Sequence, residues 1–331
     1  MSEFRRDPIT GSWVIIATER ALRPDQFRKS SQTAPSRGEI DPFAVGNETL
    51  TPDEITRVDD PDNPGQWLIR VIPNRFPVLT VEGTENRRPD GIYDRMDGVG
   101  AHEVIIESTS AELGLQDLSI SHLAAVVTTY RDRMRDLARD QRLIYSMMFR
   151  NDGLSAGATM RHGHSQLVAL PVVPENVQQR LKRSQRHFEF HERCVFEDIL
   201  NTEIANGERI VCANDNFVCC APYASRSPYE VTIIPRVQRA RFEDMSETEL
   251  VPLAAILKES LQRLSGVLGP FDYHFMIQTA PRTAAEVPWY RWHFQIIPKL
   301  SNISGFERGT GVHINPVAPE HAAKELRTIT L

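Results

Sequence analysis

The chain has 331 residues, 40% of them hydrophobic, and its 38 basic residues against 44 acidic ones give a formal net charge of −6. That length predicts roughly two domains with ordinary cores and excludes a disordered chain. The acidic balance excludes coating duplex nucleic acid through a broad basic face, while leaving room for a single bound nucleotide. From Met1 to Pro8 there is no apolar signal region, and no run of about 18 apolar residues follows, so the expectation is a cytoplasmic protein with no membrane segment.

In chain order, Glu103-Val104-Ile105-Ile106-Glu107 reads as a strand, and Asp117-Leu118-Ser119 opens a helical pattern to about Leu137. Tyr145-Ser146-Met147-Met148-Phe149 is the next strand. The loop from Asn151 to Thr159 is rich in small residues, which lets backbone amides approach an anion. Arg161-His162-Gly163-His164-Ser165-Gln166 then leads into the apolar run Leu167 to Leu170. As a strand, this segment turns His162, His164 and Gln166 to one face. Imidazoles beside a phosphate-sized nest point to phosphorus chemistry.

Pro174 to about Asn201 is charged, with apolar positions at Val177, Leu181 and Phe188, and reads as one connecting helix whose basic run from Arg180 to Arg183 is a solvated face. The cysteines, Cys194, Cys212, Cys219 and Cys220, form no C-x-x-C pair and fit no zinc or disulfide framework. Phe217 to Pro222 reads as a strand burying two of them.

Next come the strand Glu230-Val231-Thr232-Ile233-Ile234 and a helix opened by the capping-box pattern Ser246-Glu247-Thr248-Glu249, running to about Leu264. Tyr273 to Ile277 and His293-Phe294-Gln295-Ile296-Ile297-Pro298 follow. This repeats the earlier order: His164 lies 61 residues after Glu103, and His293 lies 63 after Glu230. A repeat of such length is a duplicated domain. The expected fold is α+β, with two tandem halves at 1–173 and 174–331, each an antiparallel sheet with a long helix packed on one face. The first half holds both histidines and the small-residue loop, and the second is chemically degenerate.

Several ordered motifs resemble the galactose-1-phosphate uridylyltransferase family of the histidine-triad superfamily. They are Arg5-Arg6-Asp7-Pro8-Ile9-Thr10-Gly11-Ser12-Trp13-Val14-Ile15-Ile16 with Glu19-Arg20-Ala21-Leu22-Arg23-Pro24, then Arg70-Val71-Ile72-Pro73-Asn74-Arg75-Phe76-Pro77, Gly100-Ala101-His102-Glu103-Val104-Ile105, and His162-Gly163-His164-Ser165-Gln166, matching the H-P-H-x-Q centre. The resemblance implies that each half is histidine-triad-like and that His164 attacks the α-phosphorus of a nucleoside diphosphate sugar to give a covalent nucleotidyl-histidine, with ping-pong kinetics. It implies Gln166 as support for the phosphoryl oxygens, and Arg20, Arg23, Asn74, Asn151 and Thr159 as nucleotide-binding positions. A homodimer is implied as well.

The chain departs from that pattern at the metals. The relatives' C-P-F-C reads Asp41-Pro42-Phe43-Ala44 here, the third ligand falls in Ser108-Thr109-Ser110-Ala111, and only His162 of the four-ligand zinc set remains. A second metal site of some relatives corresponds to Arg180, Gln278, His293 and Gln295. The expectation is a protein without a metal cofactor, in which His162 supports the loop. The segment from Gly305 to Pro316 looks more like the branch containing plant ADP-glucose phosphorylases. The leading reading is transfer from a nucleoside diphosphate hexose to a hexose 1-phosphate. The alternatives are adenylyl transfer to inorganic phosphate, hydrolysis of the intermediate by water, and a nucleotide-binding protein without turnover.

Overall fold

The computed structural model describes residues 1–20, 40–283 and 286–331. Its strands are β1 (Glu3–Arg6), β2 (Trp13–Ile16), β3 (Thr56–Asp59), β4 (Trp67–Pro73), β5 (Arg88–Asp90), β6 (Tyr93–Arg95), β7 (Ala101–Ile106), β8 (Tyr145–Asp152), β9 (His164–Leu170), β10 (Ile210–Ala213), β11 (Phe217–Cys220), β12 (Val231–Pro235), β13 (Tyr273–Gln278), β14 (His293–Pro298) and β15 (His313–Asn315). The helices are α1 (Ile120–Leu137), α2 (Glu175–His191), α3 (Val195–Asn206), α4 (Glu247–Leu268), α5 (Gly305–Thr310) and α6 (Pro319–Arg327).

Ten strands form one antiparallel sheet in the order β10-β11-β12-β14-β13-β8-β9-β7-β4-β3. Read outward from the centre, β8-β9-β7-β4-β3 and β13-β14-β12-β11-β10 follow the same order, so the repeat seen in the sequence is a repeat of topology. The units join where β8 pairs with β13. Across the join, Gln166 lies opposite Phe149, Phe149 opposite Met276, and Met276 opposite Gln295. The two glutamines therefore end one row, three strand spacings or roughly 14 Å apart, on the same face of the sheet.

The opposite face is covered by α1 and α4, and Val127, Tyr130, Leu257, Leu261, Phe275 and Phe294 share one core across both units. Each helix starts where its cap dictates. Ser119 Oγ accepts the His122 N–H at 3.1 Å, and Ser246 with Glu249 forms the expected capping box. The connecting segment differs from expectation, being two helices rather than one. Glu192 takes a left-handed conformation (φ 56°), ends α2 and accepts no further turn, and α3 begins after Cys194. All four cysteines are buried free thiols. A small sheet, β1-β2-β15, ties the N-terminal hairpin to the C-terminal segment, with β15 parallel to β2. Among the described residues no helix is long and apolar enough to cross a membrane.

Candidate active site

His164 opens β9 and is only 9% exposed. Its Nδ1 lies 2.9 Å from the carbonyl oxygen of His162. A carbonyl can only accept, so Nδ1 carries the ring hydrogen and Nε2 holds the lone pair. Burial holds the basicity of this imidazole below its ordinary value; the His162 carbonyl works in the opposite sense, and the Arg150 guanidinium adds to the lowering. The result is a neutral ring near neutral pH with one nitrogen available to attack. Phe43 packs edge-on against it, centroids 5.4 Å apart.

Gln166 is oriented by a residue that sequence reasoning did not single out. The Val78 N–H donates to Nδ1 of His102 at 3.3 Å, so that nitrogen is an acceptor and the neutral ring carries its hydrogen on Nε2. Nε2 then donates to Oε1 of Gln166 at 2.9 Å. With its oxygen held, Gln166 keeps its NH2 free to donate. Asn74 borders the same ring: with the Nε2 hydrogen given to Gln166, its Nδ2, 3.1 Å from Nε2, makes no hydrogen bond there, and its Oδ1 accepts the Phe76 N–H at 2.8 Å. The cue for His102 was its place in β7, two residues before Val104, which pairs with Gln166; only the register reveals it.

His162 lies beneath this layer, 1% exposed. Its Nδ1 is 2.7 Å from Asp41 Oδ2 and its Nε2 2.7 Å from the Ser108 carbonyl. An oxygen acceptor thus faces each ring nitrogen, the Asp41 carboxylate at one and a backbone carbonyl at the other. Asp41 Oδ1 also accepts the Phe43 N–H at 2.9 Å. The Asp41-Pro42-Phe43 segment thus clips His162 and presents Phe43 to His164. At the other implied metal position, Arg180 donates to Gln278 Oε1, and Gln278 Nε2 to Gln295 Oε1. A guanidinium among amides does not suit a cation. Among the described residues no three His, Cys, Asp or Glu side chains group as metal ligands.

The Ser165 side chain, on the helix-side face, joins Tyr130 in donating to Glu107, and Arg150 pairs with both Glu107 and Asp152. This buried network braces β9 from below. The loop above is less open to an anion than its composition suggested. Ser155 N–H and Oγ both donate to Asp272 Oδ2, at 2.7 and 2.6 Å. The amides of Ala156, Gly157 and Ala158 bond to Gly153, Leu154 and Gly153 carbonyls. Gly153, at φ 82°, passes so close to Asp272 that any Cβ would overlap its carboxylate.

Asn151, half-buried at the end of β8, bonds through Oδ1 to His274 Nδ1 at 3.0 Å. Thr159 and Arg20 are exposed, and among the described residues no hydrogen bond or ion pair joins either to His164 or Gln166. Arg23 lies outside the described residues.

Residues 1–174 match the galactose-1-phosphate uridyl transferase N-terminal domain. The chain belongs to the galactose-1-phosphate uridylyltransferase family. A domain of unknown function, DUF4921, also matches residues 100–329. The ADP-glucose phosphorylase of Arabidopsis thaliana is 36% identical over 99% of this chain and 93% of its own. A galactose-1-phosphate uridylyltransferase of Thermotoga maritima is 27% identical over 99% and 98%. The crystal structure of the Arabidopsis thaliana ADP-glucose phosphorylase with bound ADP-glucose superposes with a TM-score of 0.85 at 34% identity, covering all of both chains. By these relationships the protein is an enzyme of the nucleotidyltransferase class and shares the family's α+β fold.

Proposed function

We propose that the enzyme transfers a nucleotidyl group from a nucleoside diphosphate hexose to a phosphate-bearing acceptor through a covalent nucleotidyl-His164. The observation that carries this reading is the Nδ1–H bond to the His162 carbonyl, which leaves Nε2 as the nucleophile. Nε2 forms a bond to the α-phosphorus as the bond to the bridging oxygen breaks, and hexose 1-phosphate leaves with that electron pair. The positive charge that the imidazole gains is stabilised by the carbonyl at Nδ1. The NH2 of Gln166 donates to the phosphoryl oxygens, where charge develops in the transition state. A phosphate oxygen of the acceptor then attacks the same phosphorus, and His164 returns to the neutral ring.

A hexose 1-phosphate acceptor is the family-level reading. Adenylyl transfer to inorganic phosphate is the second, favoured by the 36% identity to an ADP-glucose phosphorylase. Neither reading invokes a metal: of the four zinc-ligand positions implied by the resemblance only His162 remains, and its two nitrogens face Asp41 and the Ser108 carbonyl. Arg20, Arg23, Asn74, Asn151 and Thr159 belong to the reading as nucleotide contacts. Family resemblance supports a homodimer, and buried free thiols support a cytoplasmic setting.

Incubation with UDP-glucose or ADP-glucose labelled in the α-phosphate tests it. Acid-labile label should appear on the wild-type chain with one of the two and be absent from His164→Asn. Release by galactose 1-phosphate or by inorganic phosphate then assigns the acceptor. Labelling of His164→Asn, or none of the wild type by either donor, refutes the mechanism.

A further inference from the structure

The second half keeps a His-x-Gln pair with the same local geometry as the first. His293 Nδ1 lies 3.1 Å from the carbonyl of Arg291, two residues earlier, as His164 Nδ1 lies by His162. Nε2 of His293 therefore also holds a lone pair. Burial, with Arg180 beside it, disfavours the charged form of this imidazole. His293 borders a cavity of about 110 Å³. Ile9, Phe196 and Ile234 form apolar wall, and Arg180 and Gln295 form polar wall beside the imidazole.

Of the two guanidiniums that line the cavity, Arg226 donates to Ser12 Oγ at 3.2 Å, and the other, beside His293, is Arg180. It is half-buried and donates to Gln278 Oε1, and among the described residues no carboxylate lies within ion-pair distance of it. The carboxylates that also border the cavity have partners of their own: Asp7 accepts the Ile9 and Thr10 N–H, Glu203 pairs with Arg209, and Glu230 is held by its neighbours. Its two oxygens accept the Gln295 amide at 2.6 Å and the Arg226 N–H at 2.7 Å, and burial raises it toward the neutral form. A guanidinium with spare donors in a largely apolar cavity attracts an oxyanion, and planar N–H pairs suit carboxylate and phosphate alike. A lone pair on the neighbouring imidazole calls for a hydroxyl donor.

We propose that this cavity is a second ligand site, which takes a small oxyanion carrying its own hydroxyl group, such as a 2-hydroxycarboxylate or a hydrogen phosphate. The oxyanion pairs with Arg180, the hydroxyl donates to Nε2 of His293, and a body of a few carbons lies against Phe196 and Ile234. The site stands apart from the nucleotidyl chemistry at His164.

Calorimetric titration of the full chain with lactate, propionate and inorganic phosphate tests the site. Lactate or phosphate, or both, should bind once per chain, and propionate, which lacks the hydroxyl, at least tenfold more weakly than lactate. Arg180→Met should weaken binding tenfold or more, Arg180→Lys should retain most of it, and His164→Asn should leave it unchanged. Thermal melts of both Arg180 variants separate loss of binding from loss of folding, and the Lys variant carries the test if the Met variant does not fold. Binding by neither lactate nor phosphate, equal binding by propionate, indifference to both Arg180 substitutions, or loss in His164→Asn overturns the proposal.

Discussion

Replacing His102 by Phe keeps a ring in β7 but removes the Nε2–H that holds Gln166 Oε1 at 2.9 Å. A neutral hydrogen bond contributes about 1 kcal/mol, within a range of about 0.5–1.5, and roughly 1.4 kcal/mol is a decade in rate. If the bond acts by holding the amide with its NH2 outward, losing it lowers the rate of nucleotidyl transfer about twofold to tenfold. Removing the donor itself, in Gln166→Ala, costs on the order of 10² to 10³, as loss of a preorganised donor to developing charge does. Single-turnover labelling at saturating donor measures each rate, and donor affinity should change less than twofold. The two effects should not add, because His102 acts only through Gln166. His102→Phe in the Gln166→Ala background should cost nothing more, and His102→Gln, which restores an amide donor, should recover part of the rate. A further fivefold loss in the double variant would refute this role for His102.

The pH dependence follows from the lowered basicity of His164. The attacking form is unprotonated, so kcat/KM should hold as pH falls through 6.5 and decline only below it. An acid limb at or above the ordinary imidazole value of about 6.5 would contradict the burial argument. Asp41→Ala should strip His162 of its Nδ1 partner and release the turn that places Phe43, at a cost of about 1–3 kcal/mol, because the Asp41 carboxylate is itself 30% exposed. Urea unfolding measures it, and a change under 0.5 kcal/mol would show that the clip does not hold the segment.

The elements that the sequence shows most plainly are those with a strong local period. The α1 and α4 caps, the β8 and β9 runs and the spacing between them all appear in the structure where expected, because alternation and capping are read within one turn or one strand. The helix break at Glu192 has no glycine or proline to mark it. The remaining surprises are long-range. Asp41 meets His162 across 121 residues and Asp272 caps the loop across 117. Composition showed a loop able to cradle an anion, but a carboxylate of the same chain already takes two of its donors.

Register also explains why the two halves differ at the glutamine although both keep the buried imidazole. Val104 pairs with Gln166 and Thr232 with Gln295, so His102 and Glu230, each two residues earlier, occupy equivalent places. The histidine donates, takes the oxygen of Gln166 and leaves the NH2 outward. The carboxylate accepts, takes an N–H of Gln295 and leaves the amide oxygen on the other side, where it meets Gln278. An amide turned that way points its NH2 at the carboxylate and its oxygen where Gln166 presents its NH2. His102→Glu should therefore convert the first half toward the second. Gln166 would be turned with its NH2 inward and a carboxylate placed near the incoming phosphates, so transfer should fall at least 10²-fold, well beyond His102→Phe. The same single-turnover labelling decides it, because a His102→Glu rate equal to or above that of His102→Phe would mean that amide orientation does not distinguish the halves.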